Sequence, residues 1–329
     1  MILYIQFSAF NLNKKGWLKL QMIIDCHFHV DETMLELEKM IEEMDKNNVE
    51  KTALIPPFNE TMYEKESTYQ DNLHRLFRFL IMKFPKIGLK IYDGLVKDGY
   101  FKVNGSYKIF TEPDNDIVAN AIKRYPDRFL GWAAVNPTIP ESVETLETYL
   151  NLPGFIGVKA HPFMHKYSIK ELDSIGALCQ NRDIPMIIHL SSEPESYKYL
   201  PDKYPNLKVI YAHAGVPFWK SLWQYAKEKP NVYVDTSSDY LTPSIVRNVV
   251  QALGYRKVLF GCDGPYGMKK FNEYDYSDKK SWIDSLDIPQ EHKEFILGKN
   301  FIELIGTGVR PHCANAVLKR GTGDGLWND

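Results

Sequence analysis

The chain predicts a closed parallel (β/α)8 barrel of the TIM type, interrupted by one long insertion after its second strand. Two observations carry that prediction. Eight short apolar runs recur with helix-length segments between most of them, and they are near-continuously hydrophobic, as strands buried on both faces are. Several of these runs also end in His, Lys or Asp, as though their tips converged on the C-terminal face of a barrel. The rival, an open doubly wound sheet, would show a glycine-rich phosphate turn after its first strand, and none is present.

The elements follow in order. Residues 1–21 hold a mildly apolar stretch, Met1 to Phe10, and then Lys14, Lys15 and Lys19. A secretory signal places positive charge before its apolar stretch. The segment therefore reads as an extension, with translation natively starting at Met22. Strand 1 is the run Met22-Ile23-Ile24 closing on Asp25-Cys26-His27-Phe28-His29. A strand alternates faces, so His27 and His29 leave the same side about 6–7 Å apart. A helix follows, with Met34, Leu37, Met40, Ile41 and Met44 as its apolar stripe. Thr52-Ala53-Leu54-Ile55 is strand 2, stopped by Pro56-Pro57.

Residues 57–115 form the insertion. Leu73, Leu76, Phe77 and Leu80 mark a helix within it, and Gly94, Gly99 and Gly105 break up the rest. The remaining strands are predicted at 129–135, 155–160, 185–190, 207–213, 231–236 and 257–262. Tyr125-Pro126-Asp127, Tyr204-Pro205-Asn206 and Lys229-Pro230-Asn231 supply the turns that introduce three of them. Residues 289–306 give the last helix. The Gly-rich segment 307–329 lacks periodicity and is expected to be a flexible tail.

Composition narrows the function. Forty basic against forty-two acidic residues leave a net charge of −2, which gives no global attraction to nucleic acid or anionic membrane. No apolar run approaches the roughly 20 residues of a membrane span. The four cysteines (26, 179, 262 and 313) form no CxxC pair, and a reducing cytoplasm fits them. Cys26 and Cys262 are expected on the strand faces opposite the neighbouring polar residues, packed as small apolar groups. A small-molecule substrate and a homodimer are the expected partners.

The polar tips carry the chemistry. Two imidazoles spaced like His27 and His29 can bind one divalent ion. Later runs end in Lys159, His189, His213 and Asp263. A lone histidine at a strand end is most often a hydrogen-bonded polar residue; the set in barrel order is the informative signal. His161 shares the face of Lys159 and is a candidate for contact with substrate. His74, His165, His292 and His312 fall outside strand tips and read as surface or loop residues.

With His27-Phe28-His29, Gly157-Val158-Lys159-Ala160-His161-Pro162, Ile188-His189, Ala212-His213-Ala214-Gly215 and Phe260-Gly261-Cys262-Asp263-Gly264-Pro265, the chain from about Met22 to Gly306 resembles the amidohydrolase superfamily. It is most similar to the amidohydrolase-related group, which also contains metal-dependent decarboxylases. The resemblance implies that His27, His29, His189, His213 and Asp263 hold metal, zinc or alternatively manganese. Lys159 is implied either as a carbamate bridging two ions or as a charged residue beside one, since an ammonium has no lone pair to ligate with.

Within that resemblance, metal-bound water has a pKa near 7 and can attack a C–N or C–O bond. Asp263 would serve as proton shuttle and His213 would ligate or polarise the substrate carbonyl. Hydrolysis is the expected reaction. Decarboxylation of a small unsaturated or aromatic acid on the same barrel is the alternative, and a metal-binding barrel without turnover is a third reading.

Overall fold

The computed structural model describes residues 22–62, 68–103, 105–267 and 272–306. The extension at 1–21 and the tail at 307–329, with His312 and Cys313, lie outside the described residues. Eight strands form one parallel sheet: β1 (Ile23–His29), β2 (Val49–Ile55), β3 (Phe129–Val135), β4 (Phe155–Ala160), β5 (Met186–Ile188), β6 (Val209–Tyr211), β7 (Val232–Asp235) and β8 (Val258–Leu259). Each pairs with the next in sequence. The chain beyond β8 then meets β1: Cys26 N donates to Phe260 O at 2.9 Å, and Asp263 N to His27 O at 2.7 Å. These bonds close the barrel.

Alternation along the strands explains why the barrel fills. Ile24, Ala53, Ile55, Leu130, Trp132, Ile156, Ile187, Ile210 and Leu259 point inward and form one apolar cluster. Their alternates, among them Ile23, Leu54, Ala133, Val158, Val209 and Val258, pack outward in a second cluster that includes residues of the surrounding helices. The first helix, α1 (Leu37–Lys46), buries Leu37, Met40 and Met44 from its predicted stripe. No helix among the described residues is long and apolar enough to cross a membrane.

Three features differ from the sequence-based expectation. Strict alternation fails in β1, where the register against β2 shifts between Asp25 and Phe28. Cys26 therefore joins the interior cluster beneath His27 instead of facing away from it. The insertion is more structured than its glycines suggest. Beyond α2 (Thr68–Lys83) it holds α3 (Pro85–Gly94), and then three antiparallel strands of two residues each, Val96–Lys97, Tyr100–Phe101 and Tyr107–Lys108. Pairs that short carry no readable period. Finally, β5, β6 and β8 end earlier than predicted, so His189, His213 and Asp263 stand on the turns after the ladder.

Candidate active site

Those turns hold side chains where a strand cannot. His213 and Asp263 both adopt left-handed backbone, with φ of 57° and 61°. Non-glycine residues rarely take this conformation, and such strain clusters at functional positions. Gly264, next to Asp263, cannot be replaced cheaply, because an added Cβ would sit 2.2 Å from the Phe28 ring.

Hydrogen bonds behind the two β1 imidazoles fix which nitrogen each presents. His27 Nδ1 lies 2.9 Å from Asp235 Oδ2, and His29 Nδ1 lies 3.2 Å from Pro56 O. Carboxylate and carbonyl both require a proton on Nδ1, which leaves each Nε2 lone pair bare. Both bare nitrogens face Asp263 Oδ1, at 3.3 Å and 3.4 Å. His27, His29 and Asp263 thus offer two imidazole nitrogens and one carboxylate oxygen, all within 4.8 Å of one another. Such a mixed nitrogen and oxygen set fits a divalent ion. Asp263 is 13% exposed, against 0% and 6% for the His27 and His29 side chains, so it is the member open to solvent.

A second grouping, His27, His213 and Asp235, is also close enough to share an ion. Asp235, however, is already committed. Its carboxylate accepts from His27 Nδ1, from the backbone of His213 at 2.8 Å, and from both the backbone and the hydroxyl of Ser237. That saturation makes it an orienting anion. The signal that could have found it is Val232-Tyr233-Val234, one more apolar run followed by a candidate ligand.

His189 and His213 form a layer of their own. His213 Nδ1 is 3.7 Å from Asp263 Oδ2, and its Nε2 is 2.9 Å from His189 Nδ1. His189 is joined to the trio through His213, and it belongs to neither three-residue grouping. From the insertion, Tyr92 reaches in to His189 Nε2 at 2.8 Å. His161 stacks on His189 with ring centroids 4.2 Å apart, and its Nδ1 accepts from the Met164 backbone. His165 lies outside the strand tips as expected but is half-buried: its Nε2 bonds Phe110 O at 3.0 Å, and burial pulls its pKa down to about 4.

Charges in the pocket are set by burial. Lys159 is fully buried, and its Nζ lies 3.4 Å from His27 Nε2. Burial lowers its pKa to about 8, against the opposing pull of Asp263 and Asp235. Burial holds His27 and His189 well below the usual imidazole range, keeping them neutral and able to donate lone pairs. For Asp263 burial acts upward, and positive charge facing it, whether protons on His213, His29 and His27 or a cation held among them, draws the carboxyl below its ordinary value. Asp25 is the opposite case. Burial raises it to about 8, while its Oδ1 ties the backbone of His27 to that of Cys262 across the barrel seam.

A (β/α)8 barrel with neutral imidazoles and an ionised carboxylate gathered at its C-terminal mouth defines a metal-dependent enzyme. The chain belongs to the amidohydrolase family, whose sequence model matches residues 24–306. It is 23% identical over 241 residues to gamma-resorcylate decarboxylase of Polaromonas sp. (strain JS666), covering 55% of this chain and 72% of that protein. An uncharacterised TIM-barrel protein from Bordetella bronchiseptica superposes with a TM-score of 0.58 at 17% identity, over 88% of this chain and all of that one. A dihydroxybenzoic acid decarboxylase from Polaromonas sp. JS666, solved with manganese and the inhibitor 2-nitroresorcinol, superposes with a TM-score of 0.52 at 17% identity, over 86% and 96%. At these identities the structural likenesses show the fold.

Proposed function

We propose that the chain is a metal-dependent carboxy-lyase acting on a small unsaturated or aromatic acid. One observation carries this reading: Lys159 is a buried ammonium with no carboxylate at ion-pair distance among the described residues, and it stands beside the site for a divalent cation. A buried cation without an anionic partner is costly. A substrate carboxylate supplies the missing anion, whereas a neutral amide or ester does not. The relative and the manganese-bound neighbour, both decarboxylases, point the same way.

His27, His29 and Asp263 would hold the ion, with His213 and His189 behind them. A divalent ion there supplies Lewis-acid polarisation of substrate oxygens. Lys159 holds the carboxylate. The bond between that group and the adjoining carbon breaks, CO2 leaves, and the electron pair stays on the carbon and takes a proton through Asp263, the one ligand open to solvent. The balance is one acid anion and one proton in, one CO2 and one C–H bond out.

The aromatic surroundings suit a planar substrate. Ring contacts run unbroken from His213 to Tyr240, Phe77, Tyr92, Phe163, His161, Phe58, His29, His27 and back to His213. The test is a panel of hydroxybenzoates and unsaturated diacids given to enzyme loaded with manganese or zinc. CO2 release without incorporation of oxygen from labelled water supports the reading. Turnover of amides or esters only would reject it.

Hydrolysis keeps one specific observation in its favour. With its pKa near 8, Lys159 is poised toward the neutral amine, the form that reacts with CO2 to give a bridging carbamate. Two ions per chain, together with a mass gain of one CO2, would favour that route.

A further inference from the structure

The helical hairpin of the insertion presents two opposite faces. Inward, Phe77 of α2 and Tyr92 of α3 join the ring contacts around the site. Outward, Leu76 and Phe79 of α2, Phe84 at the elbow, and Ile87 and Ile91 of α3 are between 41% and 53% exposed. Leu76 and Phe79 lie three positions apart and Ile87 and Ile91 four apart, so each pair shares one helix face. Phe84 alone separates the two helices. Gly88 lets them close tightly, since a Cβ there would stand 2.8 Å from Ile81 N. The two apolar faces meet at the elbow, where the rings of Phe79 and Phe84 touch edge-on with centroids 5.7 Å apart.

Half-exposure of five side chains that each carry roughly 200 Å² amounts to about 500 Å² of apolar surface. Single exposed apolar residues need no explanation, but a contiguous patch of this size marks a protein partner or a membrane. The charge around it selects between them. From Asn72 to Tyr92 the chain holds two arginines, three lysines and no Asp or Glu. Arg75, Lys83, Lys86 and Lys90 are exposed and take no ion pair among the described residues. The next acid, Asp93, is already paired with Lys166 at 2.8 Å. A net charge of −2 for the whole chain thus hides a cationic lobe. A second copy docked across a two-fold axis would set these cations against their own counterparts. Nucleic acid would satisfy the cations and leave the apolar side chains in water. An anionic lipid surface satisfies both, as it does for amphipathic helices that lie in a membrane interface.

We propose that the α2–α3 hairpin is a docking surface for an anionic membrane. Leu76, Phe79, Phe84, Ile87 and Ile91 enter the boundary between headgroups and acyl chains. Lys83 follows Phe79 by one turn on the same face, and Lys86 and Lys90 are the chain neighbours of Ile87 and Ile91, so these cations meet the headgroups. The protein lies on the bilayer without crossing it. This inference stands apart from the reaction assigned above and does not depend on it.

The experiment is co-sedimentation of the full-length, metal-loaded protein with vesicles of phosphatidylcholine alone or mixed with phosphatidylserine. Binding is expected to the mixed vesicles only, and it should weaken as salt is raised. A cation near an anionic surface strengthens binding by roughly fivefold, so Lys86→Gln with Lys90→Gln should lower the partition by about 25-fold. Phe79→Ser with Phe84→Ser should lower it by about tenfold or more with every cation still in place. Equal binding to the two kinds of vesicle, or binding to neither, overturns the proposal. Attachment that survives both pairs of substitutions would lie elsewhere in the chain and overturns it as well. A vesicle-free dimer, seen by sedimentation velocity and split by Phe79→Ser with Phe84→Ser, would assign the face to a second copy instead.

Discussion

Tyr92 Oη sits 2.8 Å from His189 Nε2 and 2.8 Å from Leu190 O. The phenol has one proton, and it goes to the carbonyl. It must then accept from His189 Nε2–H, so the bare nitrogen of His189 is Nδ1, the atom facing His213. A residue of the insertion therefore sets the tautomer of an imidazole held by the barrel.

Tyr92→Phe frees that choice. The ring contact with Phe163, at 4.3 Å between centroids, survives the change. Turnover should fall by about tenfold, the scale of an outer hydrogen bond behind a site imidazole. Metal content, read by elemental mass spectrometry, should stay unchanged. A loss of metal instead would place His189 among the ligands.

Asp235→Asn keeps the shape but removes the charge behind His27. Metal affinity should drop by about 10- to 100-fold, measured by competition with a chelator. Undiminished affinity would show that the Pro56 and Ser237 contacts suffice to orient the imidazoles.

Asp263→Asn should abolish turnover while much of the metal remains bound, and His27→Ala combined with His29→Ala should release it. Activity retained in the first variant removes Asp263 as the proton carrier. Full occupancy in the second removes β1 as the anchor of the ion.

Lys159 gives a pH test with a definite sign. Its pKa falls from 10.5 when unfolded to about 8 when folded, so the unfolded chain binds more protons between those values, and stability rises with pH across that window. The buried ammonium costs roughly 3 kcal/mol below pH 8, and that cost disappears by about pH 10.5. Lys159→Met should thus stabilise the metal-free protein at pH 7, with a gain that shrinks toward pH 10.5, and should abolish affinity for acids. Melting curves at the two pH values check the sign. An equal gain at both would mean that the amine is already neutral at pH 7.

The sequence exposed the barrel because buried parallel strands leave continuous apolar runs, and because histidines and an aspartate at strand tips are conspicuous after such runs. Asp235 obeys the same rule, but it falls inside the predicted strand 231–236 and not at its tip, so its position does not mark it as a site residue. Tyr92 and Tyr240 were beyond reach for a different reason. Tyr92 meets His189 across 97 positions of sequence, and neither tyrosine ends a strand. Cys26 was misplaced because a register shift cannot be read from alternation that it interrupts.

The seam between β1 and the segment after β8 has a temporal meaning. Asp25, His27 and His29 stand near the start of the described chain, and Cys262 and Asp263 stand more than two hundred residues later. During synthesis the ribosome delivers one half of the centre long before the other. Until the segment around residue 263 has emerged, the histidines of β1 have no carboxylate from Asp263 to face, and the strand that carries them has one unpaired edge. A chain halted short of that point holds most of a barrel and no finished site.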